Sequence, residues 1–174
     1  MTARVRGVAS SVVCMALLVA GCASDGGTYA TPSGVAPEAM VAQIRAAAGQ
    51  DDTELAVQPL RDPMVEDLRE QALSLERQRR YADAVAALEQ ALEFVPDDPA
   101  LLQERAEAAV LVGDFATAAR LARRAWDLGA KVGPLCRRHW ETLRQLRLVA
   151  GDAPGVVSAQ VQRESCTVAG PARY

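Results

Sequence analysis

The 174-residue sequence has one lysine (Lys131), one histidine (His139), four cysteines and few aromatics: two Trp, three Tyr and two Phe. A lone lysine argues against a lysine-rich phosphate-binding patch. A lone histidine, with no evident metal-ligand spacing around it, leaves most hydrolytic and metal chemistry without its usual participants. Aromatic and β-branched residues at alternating positions are too scarce for a β-sandwich. Charge of one sign is missing as well: 19 basic against 22 acidic residues, a net charge of −3, is too balanced to imply nucleic acid. What is present is half hydrophobic and roughly one-fifth alanine, with much Leu, Arg, Glu and Gln. These residues lose little side-chain entropy in a helix, and a core poor in aromatics must be built from closely approaching helices. The expected fold is all-α, in a single small domain.

Residues 1–21 have the order of an export signal: Arg4 and Arg6, then an apolar run from Val8 to Ala20, then small residues before Cys22. The run is roughly 13 residues, about 20 Å as a helix against about 30 Å of hydrocarbon, so a transmembrane span is the weaker reading. The end of the run, Val19-Ala20-Gly21-Cys22, resembles a bacterial lipobox. The resemblance implies cleavage before Cys22, N-terminal acyl chains such as palmitate on that residue, and anchorage to a membrane. Ala23 and Ser24 stand where such lipoproteins carry the aspartate of inner-membrane retention, which implies the outer membrane, facing the periplasm. An ordinary secreted protein with a passenger thiol is the alternative. Residues 22–36 are polar and Gly-containing, without apolar periodicity, and read as a tether.

Residues 37–61 read as a short helix and a linker. Pro37-Glu38 opens the helix, Met40, Val41, Ile44 and Ala47 lie at helical spacing, and Gly49 marks its stop. The pair Asp51-Asp52 and Pro59 belong to the linker. Asp62-Pro63 then starts the main body, 62–166, with a capping oxygen ahead of a first-position proline; residues 167–174 are a tail. Within the body the chain repeats at a period of 34. Aligning 65–98 with 99–132 places Leu68 over Leu102, Ala72 over Ala106, Tyr81 over Phe115, Ala84 over Ala118, Ala91 over Ala125 and Leu92 over Trp126. A degenerate third unit, 133–166, supplies a helix from Leu135 to Ala150, a turn at Gly151-Asp152 and a partner helix from Pro154 to about Arg163. It suits the cap that such an array needs.

The repeats resemble the tetratricopeptide repeat, most closely from Tyr81 to Pro99, with Pro96 where that family ends its second helix and Ala130 in its place one period later. The resemblance implies a short α-solenoid whose first helices line a concave groove for a peptide or partner helix. Carried over position by position, the groove would comprise Glu66, Arg69, Leu73 and Glu76, then Gln103, Glu107 and Val110, then Arg138, Glu141, Gln145 and Leu148. An alternative is that these are simply the solvated faces of amphipathic helices. The groove is short, and self-association would extend it.

With Cys14 in the leader and Cys22 at the lipid, Cys136 and Cys166 remain as an even pair in an oxidising compartment. They stand at neighbouring ends of two antiparallel helices, so a disulfide is geometrically reasonable; two buried thiols are the alternative. His139 falls on the apolar side of its helix and reads as a packed residue, although a nucleophilic Cys166 served by His139 would make a small envelope enzyme. Asp51-Asp52 and Asp97-Asp98 read as turn and capping residues, with no metal assigned. Arg77, Arg79 and Arg80 read as a solvated helix end. The expectation is a non-catalytic adaptor or scaffold in the cell envelope, without cofactor, metal or nucleic acid beyond the lipid on Cys22. It would bind an envelope protein or peptide in its groove, with homo-oligomers allowed. It would serve either envelope-maintenance and peptidoglycan enzymes or, pilotin-like, a secretin or pilus. A purely structural lipoprotein without a defined partner is a further alternative.

Overall fold

A computed structural model describes residues 34–49 and 62–167, and within these every regular element is a helix. The expected signal peptide and lipobox (1–21 and Cys22), nearly all of the tether, the linker with Asp51-Asp52 and Pro59, and the tail beyond Thr167 lie outside the described residues. In chain order the helices are α1 (Pro37–Ala46), α2 (Pro63–Arg77), α3 (Tyr81–Phe94), α4 (Pro99–Leu111), α5 (Phe115–Leu128), α6 (Pro134–Val149) and α7 (Ala153–Ser165).

Local chemistry sets these boundaries. The side chain of Asp62 accepts from the Met64 amide at 2.8 Å, Asp98 from Ala100 (2.8 Å) and Leu101 (3.1 Å), Asp114 from Thr117 (3.0 Å) and Asp152 from Gly155 (2.9 Å). Each aspartate thus satisfies amides that the first turn leaves without a partner. Proline occupies the first turn of α1, α2, α4, α6 and α7, where its missing N–H costs nothing. Asp62 and Asp98 therefore act as the capping residues their positions suggest. Gly49, at φ +81°, takes the left-handed conformation that ends a helix, and Gly133, at φ +90°, turns the chain into α6.

Helices α2/α3, α4/α5 and α6/α7 form three hairpins, and each hairpin packs on the next through α3 against α4 and α5 against α6. The alanines aligned by the 34-residue period occupy equivalent buried positions: Ala72 and Ala106, Ala84 and Ala118, Ala91 and Ala125. Without a side chain beyond Cβ, these positions let helix backbones approach closely. The larger aligned pair, Leu92 and Trp126, is partly buried beside them. The third hairpin follows the sequence reading to within two residues at each end. Its helices are joined by a Cys136–Cys166 disulfide with Cα atoms 5.7 Å apart. Trp140 of α6 meets Trp126 of α5 edge to face at 5.3 Å between centroids, and the Arg123 guanidinium lies 4.9 Å from the Trp140 ring.

One feature departs from a plain array. Helix α1 leaves the hairpin order and packs against α4 and α6, on the side formed by the first helices of the repeats. Consequently α4 is covered all round. From Leu101 to Leu111 only Glu104 is not fully buried.

Candidate functional site

Helix α1 covers the side of the array formed by α4 and α6. Helix α1 has one apolar stripe, Pro37, Met40, Val41 and Ile44, and all four are buried. Met40, Val41 and Ile44 form a single cluster with Ala109, Val110 and Leu111 of α4, Ala118 of α5 and Leu146 of α6, flanked by Tyr81, Phe115 and Val149. Two alanines in the floor keep it shallow enough for a helix to seat. An isolated helix of 10 residues is marginal in water, so α1 is helical because this surface covers its stripe.

A polar rim surrounds the apolar contact and meets α1 along its length. The Tyr81 hydroxyl donates to Glu38 at 2.9 Å near the N-terminus of α1, and Gln145 donates to the Gln43 side chain at 2.6 Å. At the C-terminal end the Arg137 guanidinium donates to the carbonyls of Ala47 (3.2 Å) and Ala48. A cation there satisfies carbonyls that the last turn leaves open and complements the helix dipole. Arg45 reaches down to Glu107 (2.8 Å) and across to Glu76 (2.8 Å).

Below the rim lies a buried polar seam centred on Glu107. Its carboxylate accepts from Arg45, from Arg138 (3.0 and 2.5 Å) and from Gln103 (2.9 Å). A buried carboxylate is tolerated only when paired and hydrogen-bonded in this way. Gln103 also donates to Thr142 at 2.8 Å, which in turn donates to the Arg138 carbonyl at 2.9 Å. With both Gln103 amide donations spent, its oxygen faces His139 Nδ1 at 2.7 Å, so Nδ1 carries the proton. Nε2 is then an acceptor, and it finds no donor among the described residues. Burial, with the charges of Arg138 and Lys131 adding to it, pushes the His139 pKa down to about 3, so the ring is neutral at physiological pH. Glu141 forms a second seam, accepting from Arg144 (2.8 and 2.6 Å), Gln145 (2.7 Å) and Arg163 of α7 (2.6 Å). Burial raises its pKa, but these hydrogen bonds and the two arginines outweigh that and hold it below the usual carboxylate value.

This geometry corrects the sequence reading of an open groove. Gln103, Glu107, Val110, Glu141 and Gln145 were expected to face a partner, and all five are buried. Glu107, Val110 and Gln145 meet α1, Gln103 lies in the seam beneath it, and Glu141 is closed in by Arg144, Gln145 and Arg163. The reason is the α1 stripe, which needs cover and finds it here. Arg138 is engaged with Glu107, and Glu76 with Arg45. The α2 side of this face is more open. There Arg69 is held between Glu66 (2.8 Å) and Glu104, Leu73 is exposed, and a shallow depression is lined by Asp67, Glu70, Gln71, Leu73, Ser74 and Arg77. Leu148 is also exposed. Sequence reasoning passed over Glu38, Gln43, Arg45, Tyr81 and Arg137. The one available signal was an amphipathic α1 whose apolar stripe had been given nothing to pack against.

The chemistry considered for Cys166 and His139 lacks its nucleophile in this structure, because the Cys166 sulfur is in the disulfide. Among the described residues no cluster of three or more His, Cys, Asp or Glu is arranged to hold a metal, and no helix is long and apolar enough to cross a membrane.

No protein-family model matches the chain, and no curated protein matches it at a significant level. Among solved structures, the globular C-terminal domain of P. aeruginosa LpoP is similar, with a TM-score of 0.57 and 27% identity. The match covers 99% of that chain and 60% of this one, a length close to that of α2 to α7.

Proposed function

We propose that this chain is a lipid-anchored adaptor of the bacterial cell envelope, attached through Cys22 to the outer membrane and facing the periplasm. Its hairpin array is of tetratricopeptide type, acts without catalysis and takes up a helical segment of an envelope protein on its concave side. The observation that carries this reading is α1 itself. The concave surface holds a helix by an apolar floor, a buried carboxylate that meets a base, and an arginine that caps the helix end. The export-signal order of residues 1–21 and the lipobox-like Val19-Ala20-Gly21-Cys22 support the envelope setting, and the hairpins are similar to the globular C-terminal domain of P. aeruginosa LpoP. The served machinery is either the enzymes that build or maintain peptidoglycan or, pilotin-like, a secretin or pilus assembly. Pilotin-like arrays of this repeat type carry more units than the three hairpins here.

Photocrosslinking in cells tests the reading. A probe at the exposed Leu73, at the open end of the concave face, should capture one defined envelope protein. A probe at Gln90, on the outer face of α3, should not. Replacing Cys22 by Ala should move the chain from the membrane to the soluble fraction and abolish the capture. Capture that is equal from both positions, or absent from both, would refute the adaptor role.

A further inference from the structure

Helix α1 meets the array as a bound ligand meets a receptor. It stands outside the sequence of hairpins, touches α4 and α6 mainly through one stripe, and is engaged by side chains from several different helices. Most of its polar contacts are made at the rim, and Arg45 alone reaches the buried Glu107 beneath it. Arg45 is 40% exposed, and the Tyr81 to Glu38 hydrogen bond lies at the surface. The exposed pairs to Glu38 and Glu76 add little to affinity, so Met40, Val41 and Ile44 carry the attachment together with the Arg45 pair to the buried Glu107. The three hairpins also pack on one another through two clusters that contain no α1 residue, one including Leu88 and Leu101 and the other Leu102.

From this we infer that α1 is a resident competitor that closes the concave groove until a partner helix of the same pattern displaces it. The inference rests on the adaptor reading and adds its regulation. The incoming helix is specified by the seat that α1 occupies. It carries aliphatic side chains at positions i, i+1 and i+4 to replace Met40, Val41 and Ile44, and an arginine at i+5 to meet Glu76 and Glu107. Its last carbonyls meet Arg137. Because α1 belongs to the same chain it competes at high effective concentration, so a weak ligand leaves the groove shut and only a well-matched helix opens it.

The test uses the full chain and a labelled peptide of residues 35–49. In the variant Ile44→Asp a charge replaces a fully buried side chain of α1, and the groove should stand open. The peptide should bind this variant at least tenfold more tightly than it binds the unaltered chain, and a peptide carrying the same Ile44→Asp change should bind neither. Equal binding to both chains, or binding to neither, would overturn the inference. Should the variant fail to fold, the unaltered chain decides the matter. With the chain isotopically labelled at Ile44, excess unlabelled peptide should transfer the Ile44 methyl signal to its undocked position. A signal that does not respond would show α1 to be a permanent part of the core. A stable dimer that exchanges α1 between copies, seen by light scattering, would equally overturn the inference in favour of a second copy as the occupant. Peptide binding does not require that the cellular partner exist, so its success beside an empty crosslinking result would count against the adaptor reading alone.

Discussion

Glu107 and His139 show how far a residue's identity falls short of its role. Both were visible in the sequence as polar residues on helices, Glu107 at a groove position and His139 on an apolar face. The reading of His139 as packed agrees with the structure, whereas Glu107 is fully buried between Arg45 and Arg138. Spacing places a side chain on a face of its own helix but does not say what comes to cover that face. The buried histidine has a consequence for acid stability. Its pKa is lowered to about 3 in the folded chain against an ordinary 6.5, so between these values the unfolded state binds more protons. Its contribution is therefore complete above about pH 6.5 and is lost as pH falls below that value. By pH 5 the loss should reach about 2 kcal/mol, at about 1.4 kcal/mol per pH unit. Glu141 acts in the same direction but later, because a lowered carboxylate pKa costs stability only as pH falls below about 4.5. Urea unfolding between pH 7 and pH 5 should show this loss in the unaltered chain and a nearly flat profile in His139→Gln. The glutamine can still donate to Gln103 but does not titrate. Parallel profiles would contradict the account.

At the scale of elements, the helices were legible because their signals are local. Aspartate before proline, a glycine stop and the 34-residue period of small residues each depend on neighbours along the chain, and the six helices of the three hairpins follow them. The α6/α7 hairpin was legible too, through cysteine arithmetic and antiparallel geometry. Its disulfide closes a loop of 30 residues between the start of α6 and the end of α7, and the Gly133 amide donates to the Cys166 carbonyl at 2.7 Å beside it. Replacing both cysteines by serine should lower stability by roughly 3 kcal/mol through the freed unfolded chain, with the helical content retained. A reductant should lower the unaltered chain to the same level and leave the double variant unmoved. A change below about 1 kcal/mol, or reductant sensitivity in the variant, would show that this crosslink does not hold the last hairpin. The docking of α1 was not legible in the same way. Its stripe is only four residues, Pro37, Met40, Val41 and Ile44, and nothing in the chain marks α4 and α6 as its seat. The hint lay in α1 itself, an amphipathic helix with no assigned surface for its apolar stripe, while the long buried run of α4 says only that its faces are covered and not by what.

For the whole molecule, the array, its buried seams and its first helix form one arrangement. Three hairpins stack through small-residue crossings, α1 covers the side formed by α4 and α6, and Glu107 links the two by accepting from a base on α1 and another on α6. The proposed adaptor role and its proposed regulation both depend on α1 lying against α4 and α6. Ile44 is the single isoleucine of the chain, fully buried among residues of α4, α5 and α6. The measurement that tests this most directly is the methyl NMR spectrum of the full chain labelled only at that residue and at Val and Leu. The account predicts one Ile44 δ1 signal, displaced from its free-chain position, with nuclear Overhauser contacts to methyls of Val110 and Leu146. A sharp signal at the free-chain position, without contacts to α4 or α6, would contradict it.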